Sequence, residues 1–314
     1  MNGLVPIAVA IIVLLPVPFI TNEYVQYVIN LMLVYGLAAA GFNIILGYLG
    51  QLAFANMAFF GIGAYAFGFA TAYLQLTFVP GLIIGGLAGG VAGLIVGLPA
   101  LRLKSYYLAI ITLVFGELMR WLYIHADSIT HGSSGLAIPD ASFFGYVLDN
   151  EGKKYYAFLI VVWLAVWATR NLLRSRIGRT WVAIRENELA VASLGLSPAL
   201  FKILAFGWSG FLVGLAGGLF AVLVGRIAPD SFGLDQLLLQ FTFVMVGGLG
   251  SVYGSLAGTA ILTAVPEFLR SVPGLEEIVF SLLVIVILRF MPGGLNGLMV
   301  RFFPRLRETL KRDG

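Results

Sequence analysis

Two charged side chains lie well inside an apolar run: Glu117 and Arg120, in the stretch 105–124. A charge at mid-bilayer costs about 2.5–3.5 kcal/mol on insertion scales. Three residues apart on a helix, the two share one face and can pair. Such a pair either lines a polar path for a solute or fixes helix packing near the outer boundary. Glu267 is a third such charge, nearer the end of its run. Outside the apolar runs one segment is patterned. From Thr180 to Leu194, Trp181, Ile184, Ala190, Ala192 and Leu194 are interspersed with Arg185, Glu186 and Glu188. The spacing predicts an amphipathic helix of about four turns, stopped by Gly195 and followed by Ser197-Pro198. Such a helix either lies on the membrane surface as a linker or inserts into a groove on another protein.

Other chemistry is missing. The chain has no Cys and two His, His125 and His131. Thiol chemistry and a His/Cys metal site are therefore excluded. Gly152-Lys153-Lys154 lacks the upstream Gly and the Ser/Thr of a phosphate loop. Neither H-E-x-x-H nor G-x-S-x-G occurs. The paired intramembrane carboxylates of a proton-coupled carrier are also lacking. The chain is expected to be no enzyme and to hold no metal or cofactor of its own.

The elements that position these residues follow from composition. Of 314 residues, 60% are hydrophobic and 11% are charged. An ordinary soluble domain is about 45–50% apolar and about 25% charged. A soluble surface and intrinsic disorder are both excluded. The expectation is an all-α, polytopic helical membrane protein. Apolar runs fall near 4–21, 24–46, 52–73, 79–101, 105–124, 155–169, 199–225, 236–250, 255–271 and 278–291. They predict about ten transmembrane or broken helices, eight or nine if the Gly-broken runs merge. The windows 47–63 and 241–258 are candidates for broken or re-entrant helices. The N-terminus lacks the basic region and cleavage site of a signal peptide and reads as a retained first span.

Charge supplies orientation, because positive residues concentrate in short cytoplasmic loops. Starting inside and crossing ten times, 14 of the 19 cations fall on the cytoplasmic side. Nine of the 15 acids fall opposite. The basic balance thus reports topology rather than nucleic-acid binding. One transmembrane domain over 1–314 is expected, with a periplasmic loop at 125–154. A cytoplasmic loop at 170–198 carries the amphipathic helix, and a basic cytoplasmic tail runs over 292–314. Glycines recur at four-residue spacing, as in Gly85/Gly89/Gly93/Gly97 and Gly210/Gly214/Gly218. They predict close helix packing in lipid.

The segment Gly178-Arg-Thr-Trp-Val-Ala-Ile-Arg-Glu-Asn-Glu-Leu-Ala-Val-Ala-Ser-Leu-Gly195 resembles the cytoplasmic loop of ABC importer permeases of the branched-chain amino acid type. Four other stretches are similar to the M-subunit (LivM-like) branch of that family. They are Gly50-Gln51 through Gly61-Ile-Gly-Ala-Tyr65, Leu101 to Leu113 with Phe115-Gly-Glu117, Thr130-His-Gly132 with Gly135-Leu-Ala-Ile-Pro139, and Gly247-Gly-Leu-Gly250 with Gly254. Where the family commonly has Ser, Gly and a polar residue such as His after the Gln, this chain has Ala53, Ala55 and Asn56.

The resemblance implies one half of a translocation path for branched-chain amino acids or a related small polar solute, such as urea or a short amide. It implies a bacterial inner-membrane location with both termini cytoplasmic. It implies as partners a second, H-type permease, two ATPase subunits carrying ATP and Mg, and a periplasmic substrate-binding protein. Arg185, Glu186, Asn187, Glu188, Ala190 and Gly195 become the ATPase-coupling candidates. Gln51, Asn56, Thr112, Glu117 and Arg120 become candidates for the path. The alternative is an ion-coupled secondary transporter, with coupling sites near mid-membrane.

Overall fold

The computed structural model describes residues 21–103, 105–139, 141–143, 146–269 and 275–290, with isolated positions 18, 293–295 and 297. Apolar runs can satisfy their backbone in lipid as helices, and helices dominate the described chain. The first, α1 (Glu23–Asn43), continues as a π-helical turn at Ile44–Tyr48. Next come α2 (Asn56–Ala72), α3 (Phe78–Gly97), α4 (Ser105–His125) and α5 (Glu151–Arg174). Two short helices follow, α6 (Arg176–Glu186) and α7 (Glu188–Ser193). The remaining long helices are α8 (Pro198–Val224), α9 (Leu234–Gly247), α10 (Val252–Leu269) and α11 (Leu275–Phe290), and a single unnumbered helical turn lies at Asp127–Thr130.

Every expected apolar run among the described residues is helical, and those residues supply five or six of the expected transmembrane or broken spans by length and composition. Five helical stretches are long and apolar enough to cross a membrane alone: 23–48, 78–101, 106–125, 151–174 and 198–224. α9 and α10 qualify only as a pair, bent by 119°, which makes six. The runs 236–250 and 255–271 are therefore two arms of one bent unit. The run 52–73 begins as loop and yields a helix of 17 residues. Both windows expected to hold breaks do so. The expected first span at 4–21 lies outside the described residues except for position 18. The basic tail at 292–314 lies outside them except for 293–295 and 297.

α8 is the axis of the bundle: 78% of its apolar window is buried, against 17% for α4 at the periphery. Glycine makes that axis possible. α2, α3 and α8 converge where Gly63, Gly85 and Gly214 abut. A Cβ on Gly214 would lie 2.6 Å from the Gly85 carbonyl oxygen, and one on Gly85 would lie 2.7 Å from that of Gly63. In lipid no hydrophobic force draws helices together, so close backbone approach supplies the packing. Around this seam Phe59, Phe60, Phe67, Phe206 and Val213 are almost fully buried.

Short strands tie the 125–154 segment to the bundle. β1 (Leu136–Ala137) pairs antiparallel with β4 (Arg226–Ile227), just beyond the end of α8. β2 (Ser142–Phe143) and β3 (Tyr146–Val147) form a minimal hairpin. In the same segment the Lys153 ammonium, 2.7 Å from Asp149, holds that carboxyl below its usual range.

The glycine seam can be tested by substitution. Gly214→Val should overpack the junction and cost at least about 1–3 kcal/mol. Gly116→Ala should be neutral or mildly stabilising, because its nearest neighbour would be the Phe54 carbonyl oxygen at 3.7 Å. Thermal unfolding of the two variants in detergent gives the comparison.

Candidate functional site

The amphipathic segment is two helices rather than the single one expected over 180–194. Asn187 is extended, at φ −159° and ψ 102°, and its side chain accepts from the Ala190 N–H at 3.0 Å. An Asn in that role ends one helix and caps the next, so the chain turns between α6 and α7. α6 also starts earlier than expected, with Ser175 accepting from the Ile177 N–H at 3.2 Å. The stop is where the spacing placed it: Gly195 has φ +79°.

This helix pair is docked on the bundle. Trp181 is fully buried and its indole N–H donates to the Phe201 carbonyl at 2.8 Å. Ile184 and Val191 are buried beside it. Glu188 sits 2.6 Å from the Lys202 ammonium. The Lys202 side chain is 6% exposed and that of Glu188 50%, so Glu188 neutralises a buried cation. Arg185 reaches further in and donates to the Gly47 carbonyl at 2.6 Å. All six coupling candidates, Arg185, Glu186, Asn187, Glu188, Ala190 and Gly195, remain exposed, beside Leu189 and Leu194 at 82% and 79% exposure. The outward surface is therefore more apolar than the charge pattern suggests.

Arg185 points at two helix breaks. One is the π-helical turn after α1, which leads into the loop 49–55. The other is the 119° bend between α9 and α10. Asn43 joins the two. Its side-chain amide donates to the Gly248 carbonyl at 3.1 Å, the Ser251 carbonyl at 2.9 Å and the Ser255 hydroxyl at 2.7 Å. Its carbonyl accepts from the Gly250 N–H at 2.9 Å. A Cβ on Gly250 would lie 3.5 Å from Arg185 Nη1. One cationic side chain on the docked helices thus bonds to one break and lies near the other.

The path candidates divide into separate groups. Thr112 is structural: its hydroxyl donates to the Leu108 carbonyl and accepts from the Phe54 N–H, each at 2.7 Å. It thereby holds the loop before α2. Asn56, the first residue of α2, donates to the Gln240 side-chain carbonyl at 2.7 Å. Both residues are buried, and each keeps one polar atom without a partner among the described residues. The same is true of the Gln51 side-chain carbonyl. Glu117 and Arg120 approach to 3.7 Å, and Arg120 also meets Asp230 at 3.0 Å. No hydrogen bond joins the Asn56 and Arg120 groups among the described residues.

Sequence reasoning missed Gln240, Asn43, Lys202 and Asp230. Gln240 could have been found, as an amide inside the run 236–250 that Gln236 opens. Lys202 and Asp230 read only as loop charges, and nothing local marks Asn43 as a link across 205 residues of chain.

These features define a multi-pass helical membrane protein with broken helices at its core. Over residues 24–288 the chain matches the family described as "Branched-chain amino acid transport system / permease component". It is 32% identical to the high-affinity branched-chain amino acid transport system permease protein LivM of Escherichia coli K12, across 94% of this chain and 73% of that one. The LivM protein of Salmonella typhimurium LT2 is 30% identical over the same shares. The LivH protein of that organism is 27% identical, across 84% of this chain and 91% of its own. No solved structure matches. The chain belongs to the branched-chain amino acid transport permease family, on its LivM-like side.

The Glu188–Lys202 pair generates a charge-swap test. Glu188→Lys should undock α7 by placing a second cation against a buried one, at a cost of about 1–3 kcal/mol given the half-exposed partner. The swap Glu188→Lys with Lys202→Glu should restore most of that loss. Proteolysis of the 170–198 segment, measured on membranes, compares the two.

Proposed function

We propose that this chain is one permease subunit of an ATP-driven ABC importer, carrying branched-chain amino acids. Its permease partner is a second, H-type chain. Two ATPase subunits hold ATP and Mg, and a periplasmic binding protein delivers the solute. In this reading 170–198 faces the cytoplasm, 125–154 faces the periplasm, and both termini are cytoplasmic. The relatives' names favour branched-chain amino acids over urea or a short amide.

The observation that carries the proposal is the Arg185 contact. A chain with no phosphate loop equilibrates its solute, draws on an ion gradient or borrows energy from a partner, and a partner's energy enters through a moving contact. α6 and α7 offer Glu186, Leu189, Ala190 and Leu194 outward, a surface suited to a groove on an ATPase. Inward, Arg185 holds the Gly47 carbonyl at one break and lies against Gly250 at the other. Displacing the helix pair therefore acts on both breaks together. The ATPase must favour one permease state by a differential free energy. Switching a two-state equilibrium from 1:99 to 99:1 takes about 5.5 kcal/mol, within reach of nucleotide binding at two sites.

The test is leucine uptake by the assembled transporter in proteoliposomes. Uptake should need internal ATP and should survive collapse of ion gradients; the reverse pattern would mean an ion-coupled carrier. Arg185→Ala should leave the ATPases bound and hydrolysing while uptake falls at least tenfold. Loss of ATPase binding in that variant would instead place Arg185 in the docking surface.

A further inference from the structure

The start of α2 is an unusual helix end. Ala55 stands at the cap position and supplies no side-chain acceptor. The backbone N–H groups of Asn56, Met57 and Ala58 find no acceptor among the described residues. These three residues are 2%, 2% and 1% exposed. Orphan donors at a helix end are ordinarily met by a cap or by water. The other interior helix start behaves that way: at α10 the Ser251 hydroxyl accepts from the Gly254 N–H at 3.0 Å.

A second observation falls at the same place. Gln240 is fully buried, and its amide nitrogen has no partner among the described residues. Its carbonyl accepts from Asn56 at 2.7 Å, which fixes the amide beside the first residue of α2. The Asn56 carbonyl oxygen is also without a partner. Turning both amides over would exchange the roles but still leave one donor and one acceptor.

From these groups we propose that the buried start of α2, with the Asn56 and Gln240 amides, binds the charged end of a zwitterionic amino acid. This rests on the transport reading above and names the seat of the substrate. The backbone donors and the Gln240 amide receive the carboxylate, aided by the partial positive charge of a helix N-terminus. The Asn56 carbonyl receives the ammonium. A neutral planar amide would leave donors unused. The apolar half of the substrate has a neighbour as well. Phe60, one turn along α2, packs with Phe220 at 5.3 Å and with Tyr35 at 6.4 Å between ring centres. Phe243, nearly one turn along α9 from Gln240, stacks near Tyr35 at 6.1 Å. Rings around such a seat suit a branched aliphatic side chain.

The assembled transporter tests this with L-leucine. Asn56→Asp and Gln240→Glu each place a competing carboxylate at the site. An Asp in the first turn also favours the helix itself, so a loss would not reflect a weakened α2. Uptake should fall at least tenfold, with membrane levels and ATPase assembly unchanged. Because the chain has no Cys, Gln240→Cys gives it a single thiol. A small anionic methanethiosulfonate reagent should modify that thiol during turnover, and leucine should slow the reaction severalfold. Uptake within twofold of the parent in both carboxylate variants would overturn the site while leaving the transport reading standing. If those variants fail to reach the membrane, the thiol decides: labelling insensitive to leucine overturns the site. A parent transporter that takes up no branched-chain amino acid overturns both.

Discussion

A helix broken inside a membrane leaves backbone groups that lipid cannot satisfy. Most of what is distinctive in this chain answers that constraint. Among the described residues, five helical stretches are long and apolar enough to cross, and a continuous helix spends its backbone hydrogen bonds internally. The breaks after α1 and between α9 and α10 cannot do so. Both are closed by side chains from elsewhere: Asn43 across to Gly248, Gly250 and Ser251, and Thr112 to Phe54. Arg185 adds a further donor at Gly47. The breaks are thus held by a few directional contacts rather than by a broad apolar surface. Such contacts have discrete arrangements, which is what a two-state element requires.

The rest of the bundle makes those contacts possible by being rigid. α8 is buried along most of its length, and the Gly63, Gly85 and Gly214 junction brings three backbones together. A seam of that kind resists sliding, because any shift drives backbone into backbone. Beside the seam lie the bent α9–α10 unit, the loop 49–55 and the docked α6–α7 pair. The docked pair is anchored by Trp181 and by the Glu188–Lys202 contact.

The same logic explains which parts were legible in the sequence. Hydropathy located the long described helices, since in lipid an apolar run has one way to satisfy its backbone. Glycine runs at 47–63 and 241–258 announced the breaks. Gly195 announced the helix stop. An apolar run does not state whether it crosses or turns back; that depends on partners such as Asn43, some 205 residues distant. The charged pattern of the 170–198 segment located a helix but not its contacts. Arg185 and Glu188 are exposed, yet each also makes a contact with the bundle, and Leu189 and Leu194 lie outside beside them. Amphipathic spacing identifies a helix but does not say which of its charges are already paired.

Asn56 shows where the two lines of reasoning meet. By type alone it is a polar residue inside an apolar segment. What gives it weight is the contrast between the two interior helix starts. α10 begins on a serine that caps it, and α2 begins on an alanine that cannot. A serine at position 55 would be a conservative way to satisfy the start of α2, and the chain does not use it. Leaving donors uncapped in the interior costs stability in every state in which nothing occupies them. That cost is tolerable if a ligand recovers it during each cycle, and binding energy then depends on the passage of substrate. The same open donors would favour a state that encloses the substrate over one that does not, and so would couple occupancy to the breaks that Arg185 and Asn43 hold.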